Sequence, residues 1–349
     1  MTVLLSNERE SGAVEVRNRW YDAYIERMPV LDGKVAVVTG SNSGIGFWAA
    51  NALAYRRCHV VLACRSVQKG TEAKDAILGR FPDASVEVME LDNMDLQSVK
   101  RFAGRFVQKH QTLDYLINNA GIMTRPHTLS KDGFDCQFQT NHLAHFLLTQ
   151  QLWKTMMDTP GQSRVVQHSS AFHFLGGVEF DRHKTALPSF RFGFLGLQWF
   201  LIRVIFPLSG LHNMDRWLRY FMSKLCGVLF MKKLATKIQD ERLQDKIIST
   251  ACHPGYVSTK LLSQSAENWF GWKLWLYLVA QSAADGSLTL LEAVVGETTR
   301  NGDFWGPRFF AVGPPVRSVV RESGNSTSQA DDLWLFSEEC TKQPFIVQK

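Results

Sequence analysis

Cysteine pairs at a metal-binding spacing are absent from this sequence of 349 residues. Its six cysteines form no CxxC pair and show no zinc-ligand spacing. We therefore expect reduced thiols in the core of an intracellular protein rather than a disulfide framework. The six are Cys58, Cys64, Cys136, Cys226, Cys252 and Cys340.

Long blocks of like charge are also missing. The 39 Lys and Arg residues exceed the 33 Asp and Glu residues by only six, so a nucleic-acid partner is not expected. With 45% hydrophobic and 21% charged residues, the chain is too apolar for a disordered protein. The composition predicts an ordinary globular protein, and the sequence shows no internal repeat or low-complexity tract.

Features of a targeting signal are also scarce in the sequence. Near the N-terminus the only apolar run is residues 3–5, which is shorter than a secretory leader needs, so we expect no signal peptide. The most apolar stretch, residues 192–211, has about the length of a membrane span. It contains Arg203, Pro207 and three glycines, and we therefore interpret it as non-spanning.

Short apolar runs alternate with helix-like stretches from residue 34 onward. Strands are expected at residues 34–39, 59–64, 86–91, 113–118, 164–168 and 246–252, with helical patterns near 45–57, 67–80, 95–109, 132–158 and 215–244. Continuous apolar strands are typical of a parallel sheet that is covered on both faces. The predicted fold class is therefore α/β, a Rossmann-type doubly wound parallel sheet of about seven strands with helices on both faces.

The domain organisation follows from the same pattern. Residues 31–315 are expected to form one sheet domain, which carries an insertion over 171–216. Residues 1–30 form a polar, helical lead-in, and residues 316–349 form a C-terminal tail that begins with a Ser/Asn/Asp-rich loop over 316–332.

A glycine-rich loop follows the first expected strand. Gly40 permits a tight turn, Gly44 lets the backbone approach a pyrophosphate, and Gly46 lets the next helix pack closely. Phosphates would then lie at the helix N-terminus, where free N–H groups and the helix dipole favour negative charge. The spacing is GxxxGxG rather than GxGxxG, and a purely structural turn is the alternative. The predicted binding loop is Gly40, Ser41, Asn42, Ser43, Gly44, Ile45 and Gly46.

The end of the second expected strand bears on the choice of cofactor. About 20 residues after the glycine loop, an NAD enzyme would place an Asp or Glu on the ribose 2′-hydroxyl. Here the sequence over 63–66 is Ala-Cys-Arg-Ser, and Arg65 suits a bidentate contact with a 2′-phosphate, with Lys69 as a further basic residue. The sequence therefore favours NADP(H) over NAD(H), the alternative being a solvated surface arginine.

Tyr220 and Lys224 form a YxxxK pair. On a helix, residues i and i+4 lie on one face, so the phenol and the ammonium can meet one turn apart. A nearby cation favours the phenolate and lowers a tyrosine pKa, which makes tyrosine a usable general acid/base. Alone, the pair also occurs by coincidence on surface helices.

These motifs occur together in a fixed order. The loop at 39–46, an NNAG stretch at 118–121, Asn141, Ser169–Ser170, Tyr220/Lys224 and an HPG turn at 253–255 fall at strand carboxyl ends or on adjoining helices, where open α/β sheets bind ligands. In these residues the sequence resembles the short-chain dehydrogenase/reductase superfamily, over roughly residues 33–315 apart from the insertion. The Cys-Arg pair, the stretch 140–149 and the HPG turn look most like the retinol dehydrogenase and WW-domain oxidoreductase branch.

The resemblance implies a role for each matching residue. Tyr220 would exchange a proton with the substrate oxygen, Lys224 would lower the pKa of that tyrosine and bind the nicotinamide ribose, and Ser170 would polarise the carbonyl. Asn141 would hold a water molecule of the proton relay. The other residues implied to contact the dinucleotide are Asp92 at the adenine, Asn118, Asn119, Ala120 and Gly121 along the adenosine, and Pro254, Gly255, Val257 and Thr259 around the nicotinamide.

The segment between Ser170 and Tyr220 departs from the resembled family. The two residues are 50 positions apart, and nine of the 32 residues over 190–221 are aromatic. Seven Lys or Arg residues and one acid lie over 182–224. Aromatic residues interleaved with Arg predict either peripheral contact with a membrane through residues 190–215 or a hydrophobic lid over the substrate pocket. Both interpretations stay open.

The leading hypothesis is an NADP(H)-dependent oxidoreductase that interconverts a lipophilic alcohol and its carbonyl, such as a retinoid or steroid. There are two alternatives. One is a catalytically silent, NADP-binding scaffold at a membrane or protein partner, and the other is a reductase of a C=C bond.

His142 and His145 are interpreted as packing or surface residues rather than metal ligands. We expect a cytoplasmic location, free or peripheral on the cytosolic face of the endoplasmic reticulum or a lipid droplet, with a homodimer as one candidate oligomer.

Overall fold

One mainly parallel sheet runs through the protein in a computed structural model that describes residues 17–175, 214–258, 280–320 and 322–348. Its strands within these residues are β1 (Val35–Thr39), β2 (His59–Cys64), β3 (Val86–Glu90), β4 (Tyr115–Asn118), β5 (Ser163–His168), β6 (Ile247–Cys252), β7 (Phe304–Pro307) and β8 (Pro315–Arg317). They lie in the order β3-β2-β1-β4-β5-β6-β7-β8. The first seven are parallel and β8 is antiparallel to β7, which confirms the predicted doubly wound α/β fold.

Helices fill the connections between the strands, close to the stretches that the sequence predicts. They are α1 (Tyr21–Ile25), α2 (Gly44–Tyr55), α3 (Val67–Arg80), α4 (Leu96–Lys109), α5 (Cys136–Phe138), α6 (Ala144–Asp158), α7 (Met214–Asp240), α8 (Ala283–Gly286), α9 (Leu288–Val295) and α10 (Thr327–Thr341). A π-helical turn, Gln139–Leu143, joins α5 to α6. Side-chain caps begin several of these helices: Ser66 accepts from the Lys69 N–H at α3, and Asp95 accepts from the Gln97 and Ser98 N–H groups at α4.

The core has two layers, one on each face of the sheet. Successive side chains of a strand point to opposite faces, and Val37 and Val38 of β1 accordingly belong to different layers. Helices α4, α6 and α7 cover the first face, and α1, α2 and α9 cover the second. With both faces covered, the strands are buried almost throughout, which explains their continuous apolar runs.

The C-terminal residues pack on the first layer. Helix α10 begins within residues 316–332, where the polar composition predicts a loop, because Ser326 caps the helix and Leu333 and Trp334 anchor it in the core. The Trp334 ring centroid lies 5.2 Å from that of Phe146 and 5.0 Å from that of Phe345. Apolar anchoring here outweighs the polar composition of the stretch.

Residues 17–30, the part of the N-terminal lead-in that the structure describes, pack on the second layer. Both carboxylate oxygens of the buried Asp285 accept backbone N–H groups, those of Arg19, Trp20 and Tyr21, at 2.8–2.9 Å. Tyr21 is fully buried, and its hydroxyl donates to the carbonyl of Trp48 in α2. Residues from the two ends of the domain therefore meet beside α2.

No helix within the described residues has both the length and the apolar character needed to cross a bilayer. The apolar stretch 192–211 lies outside the described residues. So does the predicted membrane-contact segment 190–215, apart from residues 214 and 215.

Candidate active site

A cleft of about 820 Å³ opens at the carboxyl ends of the parallel strands. Strand β1 lies between β2 and β4. The chain leaves the neighbouring strands β1 and β4 toward opposite faces of the sheet, because the helix after β1 packs in the second layer and the helix after β4 in the first. Such a switch point forms a crevice in which open α/β sheets bind ligands. The cleft walls come from the segments that follow β1, β2, β4, β5 and β6, and from α7.

The glycine loop forms one end of the cleft. Gly40 and Gly44 have φ angles of +64° and +59°, a backbone conformation that favours glycine. A Cβ on Gly46 would lie 2.3 Å from Asn119 Nδ2 and 2.8 Å from the Gly40 carbonyl oxygen, so no side chain fits there. The N-terminus of α2, beginning at Gly44, therefore faces the cleft through a backbone without side-chain bulk. This is a cradle suited to a phosphate.

Basic residues follow β2 at the same end. Arg65, Ser66 and Lys69 line the cleft, and β2 supplies no carboxylate at the position where an NAD enzyme places one. Asp92 also lines the cleft, and its Oδ1 accepts the Met94 N–H at 3.0 Å. The geometry brings these residues together with the glycine loop, as expected from the sequence.

A chain of hydrogen bonds fixes the ring of His168 in the cleft wall. Asn119 Nδ2 donates to the Thr39 carbonyl at 2.8 Å, so Asn119 Oδ1 is the acceptor for His168 Nδ1 at 2.7 Å. Nδ1 therefore carries the proton, and Nε2 holds a lone pair when the ring is neutral. Burial, reinforced by the charge of Lys224, lowers the pKa of His168 well below 6.5. Nε2 is buried and has no hydrogen-bond partner among the residues described.

Tyr220, Lys224 and Ser170 meet in the middle of the cleft. Helix α7 presents Tyr220 and Lys224 one turn apart, and Ser170 follows β5. Ser170 hydrogen-bonds to the Tyr220 side chain. Lys224 Nζ donates to the His168 carbonyl at 2.9 Å and lies 5.9 Å from the Tyr220 ring centroid. The three predicted groups thus converge on one point of the wall.

The electrostatics of this pair differ from the sequence expectation. Burial raises the pKa of Tyr220 to about 12, although the hydrogen bond from Ser170 opposes that shift. Burial also lowers the pKa of Lys224 to about 8. The sequence predicts that Lys224 lowers the pKa of Tyr220, and the structure does not show this. The Lys224 ammonium donates to the His168 carbonyl, and the effect of burial on the phenolate dominates the pKa of Tyr220.

Asn141 lies in the π-helical turn before α6 and does not line the cleft. Its Nδ2 donates to the Ile122 carbonyl at 2.9 Å and to Ser223 Oγ at 2.8 Å, and its Oδ1 accepts the Ile122 N–H at 2.8 Å. The side chain ties the loop after β4 to α7. Its amide is thus engaged in positioning the walls of the cleft. The relay water that the resemblance implies for Asn141 stays a prediction.

Two other expected contact residues point away from the cleft. Ser41 is fully buried and donates to the Val38 carbonyl, and Asn118 donates to Thr149 Oγ1 of α6. Asn118 ends β4 facing the first layer, so its neighbour Asn119 faces the cleft instead. The remaining expected residues Asn42, Ser43, Ile45, Ala120, Gly121, Pro254, Gly255 and Val257 all line the cleft, and Thr259 lies outside the described residues.

The other end of the cleft is apolar and aromatic. Trp217 and Phe172 line it beside Tyr220, and the Phe172 and Phe221 ring centroids are 5.3 Å apart. Met123 belongs to the same cluster. Helical spacing places Trp217, Tyr220 and Lys224 on one face of α7, so the aromatic wall adjoins the reacting groups. This end suits a lipophilic ligand.

Comparison with known proteins matches this chain to one family. A family model described as short chain dehydrogenase matches residues 34–181. Human retinol dehydrogenase 12 is 34% identical over 268 residues, which cover 76% of this chain and 75% of the relative. The short-chain dehydrogenase TIC 32 B of Brassica napus chloroplasts is 30% identical over 88% of this chain and 89% of its own. A crystal structure of an uncharacterized protein from Mycobacterium Paratuberculosis covers 93% of this chain and 98% of its own, with 30% identity and a TM-score of 0.70.

Proposed function

The chain belongs to the short-chain dehydrogenase/reductase family, and on this premise we propose that it is an NADP(H)-dependent oxidoreductase that reduces a lipophilic carbonyl compound to its alcohol. One observation carries the proposal: Ser170, Tyr220 and Lys224 converge between a glycine-lined phosphate cradle and an aromatic wall. The cofactor and the substrate would therefore meet at the tyrosine hydroxyl.

The residues present fit a dinucleotide with a 2′-phosphate. The cradle at Gly44 and Gly46 leaves room for a pyrophosphate at the N-terminus of α2. Arg65 and Lys69 supply cationic donors where the adenosine ribose would lie, and the protein offers no carboxylate from β2 at that place. His168 lines the cleft, and its Nε2 is a buried acceptor without a hydrogen-bond partner among the described residues. These features favour NADP(H) over NAD(H).

The bound nicotinamide would supply the hydride, and the protein's own groups supply orientation and a proton. Ser170, hydrogen-bonded to Tyr220, would hold the substrate oxygen beside the phenol. Because burial raises the pKa of Tyr220 to about 12, the phenol is protonated at neutral pH and can donate to an oxygen that gains negative charge. A protonated tyrosine is the form that carbonyl reduction requires.

The substrate class follows from the aromatic end of the cleft. Trp217 and Phe172 line it with apolar surface and leave the hydrogen-bonding groups of the cleft to orient the carbonyl. The name of the human relative, retinol dehydrogenase 12, points to the same chemical class. We therefore favour a retinoid, a steroid or another hydrophobic carbonyl compound.

The proposal is tested by binding and then by turnover. NADPH should raise the melting temperature of the protein more than NADH does at equal concentration. The oxidation of NADPH is then followed with a panel of retinals, ketosteroids and aromatic aldehydes. Protection by NADPH without turnover on any substrate would support the silent scaffold instead, and no protection by either dinucleotide would contradict the proposal.

Replacement of His168 by valine should weaken NADPH binding by about 3-fold to 10-fold, the range for one neutral hydrogen bond. Valine suits the end of β5 and removes both the acceptor Nε2 and the Nδ1 donor to Asn119. Binding is measured by quenching of tryptophan fluorescence. Gln167→Leu is the matched control, because Gln167 is the neighbouring buried residue and is not part of the cleft lining. Equal dissociation constants for wild type and His168→Val would contradict a cofactor contact at Nε2.

A further inference from the structure

A cluster of two histidines and a glutamate lies at the end of the sheet away from the cleft. His59 is the first residue of β2, Glu87 is the second residue of β3, and His110 follows the last residue of α4. One ligand atom from each side chain can be chosen so that all three lie within 4.8 Å of one another. The cleft opens at the carboxyl ends of the strands, whereas this cluster lies at their amino ends, so the proposed oxidoreductase activity leaves it without a role.

We propose that His59, Glu87 and His110 bind one Zn²⁺ ion, with water completing the coordination. Two imidazole nitrogens and one carboxylate oxygen are a ligand set that zinc accepts, and it leaves an open position for solvent. Magnesium and calcium prefer oxygen ligands throughout and are therefore not favoured here. Because the three ligands come from β2, β3 and α4, the ion would tie these elements together.

The candidate ligand atoms lie close to one another. His59 Nε2 lies 3.6 Å from Glu87 Oε1, and His110 Nε2 is hydrogen-bonded to the same oxygen. His59 Nε2 is buried and makes no hydrogen bond to the residues described. Zinc–nitrogen bonds of about 2.0–2.1 Å require only small shifts of these side chains around a central ion. The ion would take the place of the proton between His110 and Glu87.

Surrounding groups hold each ligand in orientation. Ser85 Oγ lies 2.6 Å from His59 Nδ1, the ring nitrogen turned away from the cluster. The His110 ring packs on Phe106 with centroids 4.8 Å apart. Lys109 forms an ion pair with Glu87 Oε2, which leaves Oε1 to coordinate. Partners of this kind fix the orientation of ligands in metal sites.

The cluster is also accessible from solvent. The side chains of His59, Glu87 and His110 are 28%, 14% and 13% exposed, respectively. An ion can therefore reach the site without unfolding the sheet, and a bound water can face the solvent. A site of this kind at the strand amino ends would act on stability rather than on the reaction.

The test uses the full chain after treatment with a chelator and desalting. Zinc binding is measured by isothermal titration for the wild type, His59→Gln and His110→Gln, with His127→Gln as the control, because His127 is exposed and outside the cluster. We expect one zinc equivalent on the wild type and the control, and about 100-fold or greater weakening in each cluster variant. Glutamine preserves size and polarity, and NADPH binding or circular dichroism verifies that each variant is folded.

A second measurement separates this site from the chain's other thiols and imidazoles. Zinc should raise the melting temperature of the wild type and of His127→Gln, and should leave those of His59→Gln and His110→Gln unchanged. Co²⁺ should give a visible ligand-field spectrum that is lost in the same two variants. Equal zinc binding by the wild type and both cluster variants, or no one-equivalent binding by the wild type in the micromolar range, would overturn the proposal.

Discussion

Tyr220→Phe should lower kcat/KM for carbonyl reduction by about 10²–10⁴-fold, the range for loss of a general acid. Phenylalanine keeps the ring that packs against Trp217 and Phe221, whose centroids lie 6.3 Å and 6.2 Å from that of Tyr220. It removes only the hydroxyl that hydrogen-bonds to Ser170. The expected loss therefore lies in the proton transfer, and the NADPH dissociation constant should change little.

The measurement is a steady-state assay with NADPH and the best substrate from the carbonyl panel, combined with a binding titration. Tyr115→Phe is the matched control, since Tyr115 is a buried tyrosine at the amino end of β4, away from the cleft. Its activity should equal that of the wild type. Retention of most of the activity by Tyr220→Phe would remove the tyrosine from the proposed mechanism, and loss of NADPH binding would assign it to cofactor affinity instead.

Arg65→Ala should weaken NADPH binding by about 10²-fold and leave NADH binding within a few-fold of the wild type. Hydrogen bonds to a charged group contribute about 1.5–3 kcal/mol each, and a guanidinium can form two of them with one phosphate. NADH lacks the 2′-phosphate and so loses no such contact. The substitution therefore changes the ratio of the two dissociation constants, which a general disturbance of the fold does not change.

Lys69→Ala and Arg101→Ala complete this comparison. Lys69 lines the same part of the cleft, and a compact ammonium should contribute less than a bidentate guanidinium, so we expect an intermediate loss. Arg101 is an exposed arginine on α4, where it pairs with Asp95 outside the cleft, and its removal should change neither dissociation constant. An unchanged NADPH-to-NADH ratio in Arg65→Ala would contradict the assignment of the 2′-phosphate to Arg65.

Much of the fold was predictable because the signals are local. The six predicted strands agree with β1 to β6 within about two residues, since strands buried on both faces carry continuous apolar runs. Strands β7 and β8 leave little signal in the sequence, because they are only four and three residues long and contain Pro307 and Pro315. The first turn of helix α10 is polar and by itself predicts a loop, since the apolar contacts of Leu333 and Trp334 come later.

The sequence predicts those parts of the site whose residues lie within one local segment of the chain. The Tyr220/Lys224 pair and the glycine loop follow from helical spacing and from the strand–turn–helix pattern, which a sequence displays directly. Of Asn118 and Asn119, only Asn119 faces the cleft, because packing decides which face of the sheet each side chain meets.

Local residue patterns are enough to establish the fold class, the order of the chemical groups and the absence of a carboxylate after β2, because adjacent residues carry each of these signals. The electrostatics of the site arise only on folding, since burial, which depends on the whole core, raises the pKa of Tyr220. The structure alone also decided the tautomer of His168 and the meeting of His59, Glu87 and His110, because hydrogen bonds and contacts between separate elements exist only after the chain has folded.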